Sequence, residues 1–77
     1  MKNIEILKII KKYTLEIYKN KKIEKKTLQE IGIDSLKTVE MIAEIENTFK
    51  IHLTDKELNK KTFQSVNNLI KVILKKL

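Results

Sequence analysis

The sequence predicts an all-α fold, a small four-helix bundle of three long helices and one short one, with a long loop between the first and second helices. Three observations carry this. Apolar residues recur at helical spacing in three separate segments. Residues able to cap a helix stand ahead of each. Between the first two segments, residues 20–33 show no sustained period. A chain of 77 residues without repeats or a low-complexity linker allows one domain, residues 1–77, with one modest core.

The first helix is predicted over Asn3–Tyr18. Asn3 can cap it, and Glu5 in its first turn suits the positive end of the helix dipole. Ile6, Leu7, Ile10, Tyr13, Thr14 and Ile17 form one face, which Ile9 and Leu15 widen. Tyr13 and Tyr18 read as core-edge residues with solvated hydroxyls. The lysine-rich run Lys19–Lys26 reads as a solvated loop with Ile23 turned inward, and Thr27, Leu28 and Ile31 as a turn pinning that loop to the core.

The second helix is predicted over Ser35–Phe49. Gly32, the only glycine in the chain, can turn it tightly with a positive φ, and Asp34 is placed as the N-cap. Leu36, Val39, Ile42, Ile45 and Phe49 are expected to face the core, with Lys37, Glu40, Glu44 and Asn47 opposite. Ile51 and Leu53 alternate around His52, an extended link that buries one of them. Thr54 and Glu57 form a capping box that starts the short helix, Asp55–Lys60, anchored by Leu58. Phe63 joins the core. Ser65 or Thr62 caps a last helix with an apolar stripe of Val66, Leu69, Ile70, Ile73 and Leu77 and a basic back of Lys71, Lys75 and Lys76.

Composition excludes several classes of function. There is no cysteine, so disulfides, thiolate zinc sites and cysteine nucleophiles are absent. A single histidine, His52, makes no metal site. Residues 1–10 alternate charged and apolar side chains, unlike a signal peptide, and no apolar run approaches the ~20 residues of a membrane span. The expectation is a cytoplasmic monomer. Net charge is +7, and every basic residue is lysine, a poorer reader of phosphates and base edges than arginine. The charge is uneven. Residues 1–33 hold nine lysines against four acids, residues 34–57 three lysines against six acids, and residues 58–77 five lysines and no acid. The one acidic segment of a basic chain therefore begins at Asp34-Ser35.

Ser35 follows the glycine turn and opens a helix, where its hydroxyl projects beside free backbone N–H groups. A phosphate attached there would be well placed. Ser65 lacks a glycine turn and reads only as a cap. Gly32-Ile33-Asp34-Ser35-Leu36 followed by Thr38-Val39-Glu40 resembles the modification site of acyl carrier proteins. The resemblance runs unbroken from about Leu28 to Leu53 and more loosely to the C-terminus. It implies that Ser35 carries a 4′-phosphopantetheine arm whose thiol holds acyl groups as thioesters for fatty-acid, polyketide or other specialised acyl assembly. It implies a phosphopantetheinyl transferase and acyl-loading and synthase enzymes as partners. It also implies a recognition surface of Asp34, Leu36, Val39, Glu40, Met41, Glu44 and Glu46, and no catalysis or metal site of the chain's own.

The chain departs from the family's pattern at Lys37, where an acid is usual, and at Ala43, Asn47, Thr48 and Thr54. Its basic total is also unusual. The alternative reading is a small basic helical protein that binds nucleic acid non-specifically, and a weaker one is a helix protein at a membrane surface. Both rest on charge and leave the Gly32–Ser35 turn unused.

Overall fold

The computed structural model describes residues 2–77. Among them are three α-helices, α1 (Lys2–Lys12), α2 (Ser35–Phe49) and α3 (Val66–Lys76), with short 3-10 turns at Glu16–Tyr18 and Thr62–Gln64. The all-α prediction holds, and the count of α-helices is three. Among the described residues, no helix is long and apolar enough to cross a membrane.

α1 packs against both α2 and α3. The core between them is mostly isoleucine: Ile6 and Ile10 from α1, Ile45 from α2 and Ile73 from α3 are fully buried. Each such side chain contributes roughly 1.5–3 kcal/mol of burial, and their stiff β-branched stems favour a single packing arrangement.

The first helix stops at Lys12, short of the expected Tyr18. The Thr14 hydroxyl donates to the Lys11 carbonyl at 2.9 Å, and the Lys19 ammonium reaches the same oxygen at 2.8 Å. These side chains satisfy the carbonyl that a continuing helix would bond. The chain then turns so that the Leu15 N–H donates to the Ile31 carbonyl at 2.9 Å. Leu15 and Ile17, expected on the apolar face, are exposed, whereas Ile9 is buried. Asn3 lies inside α1, and its side chain accepts from the Ile4 N–H; the residue preceding α1 is outside the described residues.

Residues 13–34 form the long loop, held by Ile23, Leu28, Ile31 and Ile33, all buried. Thr27 and Glu30 close a reciprocal pair: the Thr27 N–H donates to Glu30 at 2.8 Å and the Glu30 N–H to the Thr27 hydroxyl at 3.0 Å. The lysine-rich run is fixed from the far side by α3. The first N–H groups of that helix, from Val66 and Asn67, donate to the carbonyls of Lys26 (2.9 Å) and Glu24 (2.8 Å).

The expected short helix at Asp55–Lys60 is a turn. Its capping box forms, with the Thr54 N–H on Glu57 at 2.9 Å and the Glu57 N–H on Thr54 Oγ1 at 3.3 Å. The carbonyls of Lys56 and Glu57, which would propagate a helix, are taken instead by Asn59 Nδ2 (2.7 Å) and by the buried Thr62 hydroxyl (2.5 Å). Side-chain competition thus holds the segment at a turn and no helix propagates. Ser65 caps α3 by accepting from the Asn68 N–H at 3.0 Å. Val66, Leu69, Ile70 and Ile73 form the buried stripe, while Leu77 is exposed.

Candidate functional site

The site forms where the long loop delivers the chain into α2. Gly32 has φ +88°, and a Cβ there would lie 2.4 Å from Leu15 Cγ. Glycine is thus required twice, for backbone conformation and for space. Asp34 is extended, and its Oδ1 accepts from the Lys37 N–H at 2.8 Å. Its carbonyl accepts from both the N–H and the hydroxyl of Thr38 at 2.8 Å. Ser35 is the first residue of the helix and is exposed. The N–H groups of Ser35 and Leu36 have no partner among the described residues, so they and the dipole present partial positive charge around the serine hydroxyl. Beside it opens a groove of about 800 Å³, whose lining includes Ser35, Thr38, Leu28, Lys60, Phe63 and Gln64.

The expected core stripe of α2 is rotated. Leu36 is 70% and Val39 67% exposed, whereas Met41 and Ile45 are fully buried and Ile42 nearly so. At ~100° per residue, each step of three falls about 60° short of a full turn. Leu36 therefore ends up about 180° from Ile45, nine positions later. Runs of i+3 alone drift around the helix; the buried set here is Met41, Ile42, Ile45 and Phe49, the last packed at the core's edge.

The seven expected recognition residues accordingly divide. Leu36, Val39 and Glu40 are exposed on the outer face of α2, and Asp34 is exposed while serving as its cap. Met41 is a correction: with no exposed surface it cannot meet a partner. Glu44 clasps α1, accepting from the Lys12 ammonium at 2.5 Å and the Tyr13 hydroxyl at 2.6 Å. Those two donors hold its carboxyl below the usual range. The same bond, with burial, pushes Tyr13 up to about 12; Tyr13 sits at the core's edge as expected, with its hydroxyl engaged by Glu44. Glu46 accepts from the Leu53 N–H at 2.8 Å and lies 3.4 Å from His52 Nδ1, tying down the link after α2.

A family model described as phosphopantetheine attachment site matches residues 8–73. An acyl carrier protein homolog from Mycoplasmopsis pulmonis (strain UAB CTIP) is 39% identical over 61 residues, which cover 79% of this chain and 81% of that relative. The chain belongs to the acyl carrier protein family. Its function is that of an acyl carrier, with 4′-phosphopantetheine as the covalent prosthetic group.

The carrier's residues fit that group. An exposed primary hydroxyl, two unpartnered helix N–H groups and an open groove of mixed polarity meet at Ser35. Two further features hold the site, beyond those that the spacing of apolar residues predicts. The Thr27–Glu30 pair has a local signal, since Thr-Leu-Gln-Glu follows the capping-box spacing. The clasp of Glu44 on α1 joins residues more than thirty positions apart and leaves no local signal.

Proposed function

We propose that Ser35 bears the 4′-phosphopantetheine arm and that the carrier is a substrate of a phosphopantetheinyl transferase rather than an enzyme. The observation that carries this reading is the exposure of the Ser35 hydroxyl at the capped, positively polarised start of α2, inside the segment matched by the family. Ser35 Oγ supplies the nucleophile toward the pantetheine-side phosphorus of the coenzyme A pyrophosphate; the Oγ–P bond forms as the P–O–P bridge breaks and adenosine 3′,5′-bisphosphate leaves. The serine proton goes to a base on the transferase, which also supplies the Mg²⁺ ligands. The arm, once attached, provides the thiol that holds an acyl group as a thioester. The carrier's own residues fix the serine in place and present Leu36, Val39 and Glu40 as the outer contact surface for the transferase and for acyl-loading and synthase enzymes.

The carrier works as a cytoplasmic monomer in fatty-acid, polyketide or other specialised acyl assembly. Lys37, which introduces a positive charge two residues after Ser35, supports a dedicated partner set over a general one. The nucleic-acid alternative has only charge behind it. The cleft holding the loop lysines Lys22, Lys25 and Lys26 also holds Glu24 and Glu30, and no arginine is present to read base edges.

Incubation with coenzyme A, Mg²⁺ and a broad-specificity transferase is expected to raise the intact mass by one arm. Ser35→Ala is expected to abolish the gain while leaving the fold intact. An arm on the Ser35→Ala protein, or none on the wild type with several transferases, overturns the assignment.

A further inference from the structure

We infer that Lys60 is a positioning residue for the arm, pairing its ammonium with the phosphodiester that joins the arm to Ser35. The inference rests on the assignment of Ser35 above. Among the residues lining the groove beside Ser35, Lys60 is the one cation and Asp34 the one anion. The Lys60 side chain makes no hydrogen bond or ion pair among the described residues. Asp34 spends one oxygen on the Lys37 N–H, and its charge remains beside the attachment point.

Attachment would place a permanent negative charge next to that carboxylate. The helix N-terminus offsets the repulsion only in part, because it is worth about half an elementary charge and fades within a turn. Lys60 supplies a full charge from the other chain segment that walls the groove, the connection between α2 and α3. Lys37 is closer in sequence, but it lies two residues along α2 from Ser35, about 200° around the helix axis, and it does not line the groove. The other lysines are likewise absent from this lining. An ion pair at Lys60 would lay the first atoms of the arm against the wall that continues through Phe63 and Gln64, and so set the direction in which the arm leaves the serine.

The test compares apo and arm-bearing protein, prepared with coenzyme A, Mg²⁺ and a transferase and checked by intact mass. Thermal unfolding is measured for wild type, Lys60→Gln and Lys60→Arg at low and high salt. The change in Tm on attaching the arm is expected to be lower in Lys60→Gln than in wild type by about 1–8 °C at low salt. It should be retained in Lys60→Arg, and the two changes should converge at high salt as screening removes the contact. Taking the difference between arm-bearing and apo forms of each variant cancels any effect of the substitution on the fold itself. An equal change in wild type and Lys60→Gln at low salt overturns the inference while leaving Ser35 as the attachment point. A wild-type mass that never rises overturns both.

Discussion

Gly32 and Leu15 share one space: the Leu15 side chain lies where a side chain on residue 32 would have to go, 2.4 Å from the position of its first carbon. Leu15 is itself held there by its N–H bond to Ile31. The entrance to α2 is therefore built by two segments that meet across the long loop, and the glycine is what lets them close. Gly32→Ala is expected to destabilise the protein by roughly 1–3 kcal/mol, from the left-handed backbone and the overlap together. That is several degrees in Tm for a domain of this size. Adding Leu15→Ala to Gly32→Ala should recover the steric part only. A wild-type Tm for Gly32→Ala would show that the turn relaxes freely, against this account.

The rotated face of α2 separates two substitutions that look alike in sequence. Met41→Ala removes a fully buried side chain and is expected to cost about 2–5 kcal/mol. Leu36→Ala removes a mostly exposed one and should stay within about 0.5 kcal/mol of wild type in urea unfolding. Leu36→Ala should instead lower kcat/KM of the transferase. The reverse pattern, a stable Met41→Ala and an unstable Leu36→Ala, would refute the burial assigned to α2.

The clasp of Glu44 on Lys12 and Tyr13 makes stability depend on pH at both ends. The Glu44 carboxyl lies below its ordinary 4.5 in the folded protein. Its contribution is present above about pH 4.5 and is lost as pH falls through the folded value. Tyr13 rises from 10.0 to about 12, so its contribution is present below about pH 10 and is lost as pH rises toward 12. Glu44→Gln is expected to cost about 1 kcal/mol at pH 7 and to flatten the acid limb of a Tm-against-pH profile. Tyr13→Phe should flatten the alkaline limb. Profiles that retain the wild-type slope in both variants would assign the dependence to other groups; on the acid limb Glu30, held low by Thr27, and Glu57, held low by Thr54 and Lys76, stand first.

The all-α class, the inward Ile23, Leu28 and Ile31 and the Asp34 cap are legible in the sequence, because periodicity and capping are local signals, and of the two candidate caps for α3, Ser65 and Thr62, the structure uses Ser65. Three readings failed where distant or competing bonds decide. α1 ends at Lys12 because Thr14 and Lys19 take a carbonyl that periodicity assigns to the helix. The expected short helix stays a turn because Asn59 and Thr62 do the same. α2 ends at Phe49, where the periodicity predicts, closed by Lys50 in the left-handed conformation with φ 57°, a role more often taken by glycine. On the site itself, spacing placed Leu36 and Val39 inward, and only packing against α1 fixes which side of α2 is buried.

The Thr27–Glu30 and Thr54–Glu57 pairs each join residues three positions apart. Closing so short a segment costs little chain entropy, so both connections can order before the helices meet. The slow event in folding is then the encounter of α1 with α2 and α3, whose contacts span the long loop and most of the chain. Cutting either Thr–Glu pair should therefore speed unfolding and leave the refolding rate nearly unchanged if that pair forms late, or slow refolding if it forms before the encounter. The second outcome is the one this arrangement requires.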